Sequence, residues 1–192
     1  MHETPKSLLD RIRHGSENSD WQQLTDLYTP FLRRIVQHFG VSGAECDDLI
    51  QDVFIVLVRE IGNFEHNQQR GAFRRWLRLI TLNRLRGARR SRGTLKAASF
   101  DPAVFLDNWP DTSNDLERLW DDEHDTWVAR KLLEILEPEF TMSTWQAFYR
   151  QVVDGRPAAE VAGELGLSTN AVLIAKSRVL RRFRAEIKGL IE

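Results

Sequence analysis

The chain has 192 residues, enough for one large domain or two small ones. Its 42% hydrophobic and 29% charged residues describe a packed globular chain and exclude a disordered or fibrous one. The formal net charge of −1, from 27 basic and 28 acidic residues, taken alone argues against a nucleic-acid binder, but the charges are segregated along the chain. A single cysteine, Cys46, rules out an intramolecular disulfide and gives no zinc pattern. Its thiol reads either as buried and inert or as redox-sensitive. His2, His14, His38, His66 and His124 never fall at metal-ligand spacing, so no metal and no cofactor is expected. The N-terminus carries only Leu8-Leu9 within a polar stretch, which predicts neither signal peptide nor membrane span and a cytoplasmic location.

Apolar residues recur at three- and four-residue spacing and alternating runs are scarce, so the expected fold is all-α. Residues 1–92 are dense in helical pattern and end strongly basic. Residues 93–115 carry Gly93, Pro102, Pro110, Ser and Asp with weak periodicity and read as a linker; residues 116–192 are helical again.

The segment Asp47-Asp48-Leu49-Ile50-Gln51-Asp52-Val53-Phe54 opens a helix reaching about Ile61. At 100° per residue Ile50, Val53, Phe54, Leu57 and Ile61 share one face, and Asp48, Asp52, Ile55 and Arg59 the opposite one. The first face is core. The second is either a solvated acidic first turn that suits the helix dipole, or a contact surface; Ile55 within the polar stripe favours contact.

From Arg70 to Lys96 the chain places Arg70, Arg74, Arg75, Arg78, Arg84, Arg86, Arg89, Arg90, Arg92 and Lys96 with no acid among them. The helix from Phe73 to Asn83 is amphipathic, with Phe73, Leu77 and Ile80 on one stripe. So dense a cationic surface calls for a polyanion, and a phosphate backbone is the natural one. Trp76 among these arginines either stacks on an unpaired base or packs in the core. From Asp101 to Asp125 the sign reverses: Asp101, Asp107, Asp111, Asp115, Glu117, Asp121, Asp122, Glu123 and Asp125 face only Arg118. The pattern reads as two anion-binding surfaces with an acidic segment between them.

Residues Pro157 to Leu165 form a short helix with Val161, Ala162 and Leu165 inward. Gly166-Leu167-Ser168 supplies the turn, with Gly166 left-handed and Ser168 as N-cap. A second helix runs from Thr169 to about Arg184, burying Val172, Ala175, Val179 and Phe183. It presents Asn170, Leu173, Ile174, Ser177 and Arg181 outward, with Arg178 at the edge. The spacing is that of a helix-turn-helix, whose second helix enters the major groove while Lys176, Arg178, Arg181, Arg182 and Arg184 supply phosphate contacts. A helical hairpin used only for packing is the alternative, since Leu173 and Ile174 read little except thymine methyls.

These elements, in this order, resemble the RNA polymerase sigma factors of the extracytoplasmic-function type in the sigma-70 family, over about Trp21 to Arg184. The resemblance implies two small helical domains, region two (1–92) and region four (116–192), joined by a flexible acidic linker (93–115). It implies that Asp48, Gln51, Asp52, Ile55 and Arg59 dock on the β′ clamp helices of core polymerase. Phe73, Trp76, Leu77, Ile80 and Asn83 match the family's Phe-x-x-Trp-Leu-x-x-Ile-x-x-Asn pattern. Arg70, Arg74, Arg75, Trp76, Arg78, Asn83, Arg84, Arg86, Arg89 and Arg90 are then expected at the minus-ten element, where the loop 62–70 pockets a flipped base. Glu160-Val161-Ala162 and Leu165-Gly166-Leu167-Ser168 match the region-four motif. Ser168, Thr169, Asn170, Leu173, Lys176, Ser177, Arg178, Arg181 and Arg182 are expected at the minus-thirty-five element. The implied partners are core RNA polymerase (β′ clamp helices and β flap), promoter DNA and, as in many members, an anti-sigma factor, with no membrane and no enzymatic activity. The family commonly has Asp where this chain has Gly87, and polar or basic residues where it has Leu173-Ile174-Ala175, so promoter sequence does not carry over. The alternative function is a stand-alone helix-turn-helix regulator binding an operator. An enzyme would need a metal-binding cluster, for which Asp47, Asp48 and Asp52 are the only candidates.

Overall fold

A computed structural model describes residues 7–15, 17–64, 71–92 and 112–191. All the regular elements among them are helical: α1 (Leu8–Arg13), α2 (Asn18–His38), α3 (Gly43–Glu60), α4 (Ala72–Arg92), α5 (Thr112–Leu136), α6 (Met142–Val152), α7 (Ala158–Leu165) and α8 (Thr169–Ile187), with short 3₁₀ turns at Ile61–Asn63 and Glu137–Glu139. The linker expected at 93–115 lies, as far as residue 111, outside the described residues.

The long helices form where the apolar spacing predicts them. α2 buries Leu24, Leu27, Tyr28, Phe31, Leu32, Ile35 and Val36, a stripe at three- and four-residue steps. Pro30 lies inside this helix but on its exposed side. There the Asp26 carbonyl that loses its N–H partner lies on the solvent side of the helix rather than in the core. α2 stops at Gly40, whose φ of 79° lets the chain turn back so that the Val41 amide reaches the Val36 carbonyl at 3.3 Å. α3 buries Cys46, Leu49, Ile50, Val53 and Leu57. Phe54, expected in the core stripe, is half-buried at its edge. α4 buries Phe73, Leu77, Ile80 and Leu85 and passes through Gly87 without a break. The buried Thr81 hydroxyl is satisfied by the Leu77 carbonyl at 2.9 Å.

The packing of α5 does not follow the sequence-level division at residues 93–115. Trp120, His124, Val128, Leu132 and Leu136 recur every fourth residue along α5, and all are buried. Trp120, Val128 and Leu132 share one continuous apolar core with α1 to α4. Phe31 of α2 meets the Trp120 ring edge-on at 4.9 Å, and the Trp127 indole N–H donates to the Leu27 carbonyl at 2.9 Å. The other side of the same helix serves the C-terminal elements, because Leu133 packs on Trp145, Phe148 and Val179. α5 is therefore a beam shared by both halves. A second tie lies at the end of α8, where Ile187 and Leu190 enter the N-terminal core. Beside them the fully buried Glu186 carboxylate accepts from Arg11 at 2.9 Å and from Arg182, while Arg11 also binds Asp20 at 2.7 Å.

Candidate nucleic-acid and partner interfaces

The C-terminal motif is built as its residues dictate. α7 and α8 pack through Val161, Ala162, Val172 and Ala175, with Ala147 of α6 completing the cluster. Gly166 ends α7 at φ 64°, ψ 32°, and the Leu167 amide reaches the Ala162 carbonyl at 2.9 Å. The Ser168 hydroxyl then accepts from the Ala171 amide at 3.1 Å and starts α8. Glu164 receives Arg150 at 2.7 Å and also binds Arg156, and these hydrogen bonds, Arg156 foremost, hold its carboxyl below the usual range. The outward face of α8 carries Thr169, Asn170, Leu173, Ile174, Ser177, Arg178 and Arg181, all exposed, with Lys176 half-buried. Leu173 and Ile174 are 45% and 53% exposed, so they are not used for internal packing. Arg182, expected among the phosphate contacts, is instead engaged with Glu139 at 2.7 Å and with Glu186. Through Glu139 it ties α8 to the 3₁₀ turn at Glu137–Glu139. Phe183, expected in the buried stripe, is half-buried.

On α3 the face opposite the core presents Asp48, Gln51, Asp52, Ile55 and Arg59, all exposed. Ile55 and Val58 are 53% and 59% exposed, and they form an apolar ridge flanked by acids that the core does not use. Asp47 stands apart from them, paired with Arg33 at 2.5 Å. Among the described residues no three His, Cys, Asp or Glu side chains are grouped to hold a metal ion, so Asp47, Asp48 and Asp52 do not gather into a metal site. Cys46 is buried, and burial pushes its thiol pKa up.

The arginine helix differs most from its sequence-level expectation. Arg74 and Arg78 are not without counter-charge. Arg74 binds Asp125 at 3.1 Å and approaches Asp121 at 3.7 Å; Arg78 binds Glu117 at 2.6 Å and Asp121 at 3.3 Å. Arg34 of α2 adds a contact to Glu123 at 2.9 Å. All four acids belong to α5, from the acidic block that the sequence places next along the chain. Arg86, also expected on the DNA-facing surface, is buried, and desolvation pushes its pKa down. Arg75 is exposed, while Arg84 and Arg90 are half-buried. Arg70 and most of the loop 62–70 lie outside the described residues, as does the side chain of Arg89. The Trp76 ring stacks on Phe64 at 4.6 Å and 19° and stays half-exposed. Asn83 is half-buried, and its side-chain oxygen has no hydrogen-bond partner among the described residues.

Beneath the acid–arginine contacts lies a buried polar pair. The Tyr28 hydroxyl donates to His124 Nε2 at 3.1 Å, and His124 Nδ1 donates to Asp125 at 2.9 Å. That arrangement uses the neutral imidazole, one nitrogen donating and the other accepting. Burial pushes the His124 pKa down to about 4, against the smaller upward pull of Asp125. The sequence reading missed this histidine. The four-residue period from Trp120 to Leu136, with acids at 117, 121 and 125 on the neighbouring stripe, is the signal that would have found it.

A last exposed apolar patch lies on α6 and just beyond it, where Met142, Tyr149, Val152 and Val153 face outward. Beside it a shallow hollow is lined by Glu137, Met142, Trp145, Gln146, Tyr149, Arg150 and Asp154.

Among the described residues every regular element is helical, α7 and α8 form a capped helix-turn-helix, and α4 carries a row of arginines. Residues 24–94, from α2 through α4, match the Sigma-70 region 2 family. Across 191 residues the chain is 25% identical to the RNA polymerase sigma factor NccH of Alcaligenes xylosoxydans xylosoxydans, covering 97% of this chain and 94% of that protein. Among solved structures, that of CnrH in complex with the cytosolic domain of CnrY covers 93% of each chain at 21% identity, with a TM-score of 0.38. Residues 24–94 are thus similar to region 2 of the sigma-70 family, and the chain along most of its length is similar to an RNA polymerase sigma factor.

Proposed function

We propose that this chain is a sigma factor of the extracytoplasmic-function type that binds core RNA polymerase through the exposed face of α3 and directs promoter-specific initiation with α4 and α8. The observation that carries the reading is the position of the acid-flanked ridge. It lies on the outer face of α3, within the stretch 24–94 that matches region 2, and among the described residues no other element covers it. In this reading Asp48, Gln51, Asp52, Ile55 and Arg59 meet the β′ clamp helices. Ile55 and Val58 supply the apolar contact and the acids supply the orientation.

The half-exposed Trp76, backed by Phe64, offers a platform for an unpaired base of the minus-ten element. Arg74, Arg75, Arg78, Arg84 and Arg90 then line the path of the backbone. The outward face of α8 from Thr169 to Arg181 lies in the major groove of the minus-thirty-five element. Leu173 and Ile174 sit where thymine methyls are the only matching base feature. The apolar patch around Met142 and Tyr149 on α6 suits the β flap. An anti-sigma factor is a further expectation of the family, and the protein works as a binding factor without chemistry of its own. No helix among the described residues is long and apolar enough to cross a membrane.

Transcription in vitro with purified core polymerase tests the reading. Promoter-dependent transcripts are expected from a genomic template library when the protein is added. Asp48→Lys with Asp52→Lys is expected to abolish core binding and leave the melting temperature unchanged, both side chains being exposed. If no template yields a transcript while the protein alone binds a duplex with high sequence specificity, it is a stand-alone regulator.

A further inference from the structure

The reading of Arg74 and Arg78 as backbone contacts has a structural cost in the free protein, because α5 already occupies both. We infer that the acidic edge of α5 is an internal stand-in for DNA phosphate, so that this edge and promoter DNA are alternative partners of α4. The inference rests on the proposed role of α4 in binding DNA.

Three features of the interface carry it. The first is register. Glu117, Asp121 and Asp125 stand one helical turn apart along α5, and Arg74 and Arg78 stand one turn apart along α4. Each guanidinium reaches two carboxylates, Arg74 at 3.1 and 3.7 Å and Arg78 at 2.6 and 3.3 Å. Both oxygens of Asp125 accept from Arg74 Nη1. Phosphate oxygens are read by the same guanidinium fork, so the two ligands compete for the same donors.

The second is division of labour. Trp120, Val128 and Leu132 in the shared core, with the Trp127 bond to Leu27, fix α5 on the N-terminal helices. Docking therefore does not depend on the rim carboxylates, whose side chains remain 43–51% exposed. Ion pairs this exposed add little to stability and are screened by salt. What they do efficiently is cancel the field of the two arginines at the surface.

The third is the sign pattern of the chain. The block 101–125 is acidic and follows the basic block 70–96 directly, so the chain supplies its own counter-charge and stays near neutral. A polyanion of higher charge density, presented together with core polymerase, displaces such screened pairs and gains the entropy of counterion release.

The test measures DNA binding by the full chain without polymerase, by fluorescence anisotropy with a labelled short duplex of arbitrary sequence. The released variant combines Glu117→Gln, Asp121→Asn and Asp125→Asn. A control variant, Asp26→Asn with Asp122→Asn and Glu134→Gln, removes three exposed acids away from the arginines and reaches the same net charge. The released variant is expected to bind at least about tenfold more tightly than the control at low salt. Its plot of log K against log salt is expected to be steeper by about 1.8, two phosphate contacts at about 0.9 each. Adding Arg74→Gln and Arg78→Gln to the released variant removes the gain.

Equal gains in both variants mean that bulk charge alone is at work and overturn the inference. No gain in the released variant overturns it as well. In that case the double arginine change decides the reading beneath it. If Arg74→Gln with Arg78→Gln weakens promoter binding by the polymerase complex, the DNA role of α4 stands without the clasp. If it has no effect there, that role fails too.

Discussion

Replacing Trp120 by alanine isolates the contact that joins the two halves of the molecule. The side chain is fully buried, meets Phe31 edge-on at 4.9 Å and lies parallel to the His124 ring at 6.2 Å. Truncating a buried tryptophan costs about 3–5 kcal/mol through lost transfer energy and the cavity left behind. In a chain of this length that corresponds to a fall in melting temperature of about 6–20 °C if unfolding is two-state. The indole N–H of Trp120 is buried without a hydrogen-bond partner among the described residues, however, and an unmet donor offsets part of the gain from burial. Trp120→Phe keeps most of the ring and removes that donor, so it should cost clearly less than the alanine. Hydrogen exchange locates the effect. In Trp120→Ala the amides of α5 should lose protection together with those of α2, while α7 and the N-terminal half of α8, held by Val161, Ala162 and Val172, should not. A change below about 1 kcal/mol, with α5 protection unaltered, would refute the placement of this helix in the N-terminal core.

Two further outcomes follow from particular side chains. His124 is neutral in the folded chain down to about pH 4 but takes a proton near 6.5 when unfolded. The unfolded state therefore binds more protons between those values, and stability should fall as pH drops from 6.5 to 4, by up to about 3 kcal/mol, with no contribution above that window. Urea midpoints at pH 7 and 4.5 should differ less in His124→Gln than in the parent chain. At α8, replacing thymine by uracil at a contacted step of the upstream element should weaken binding by about 0.8 kcal/mol, roughly fourfold, per lost methyl contact. Leu173→Ala should be insensitive to one such replacement; if the parent chain tolerates uracil at every step, Leu173 and Ile174 do not read methyl groups.

The helix-turn-helix was legible almost to the residue, because its signals are local. A left-handed glycine, a serine cap and a four-residue apolar stripe constrain the backbone wherever they occur, and Gly166, Ser168 and Val172 do so here. The α3 stripe was legible for the same reason, its inward residues fixed by helical period. The partners of charged groups were not. Arg74 and Arg78 looked unmatched because the acids that meet them lie 39–51 residues further along the chain. Arg182 and Glu186 share one helix, but the long-range contacts to Glu139 and Arg11 that complete their network depend on how distant elements pack. Helical period shows which side of an element is wet, not which element lies against it. The sequence by itself determined an all-helical fold with basic and acidic blocks and a capped helix-turn-helix, since each rests on neighbours within a few turns. Only the tertiary structure decided that α5 is shared between the two halves and that its acids fall on the arginines of α4, because burying Trp120 beside Phe31 sets that register.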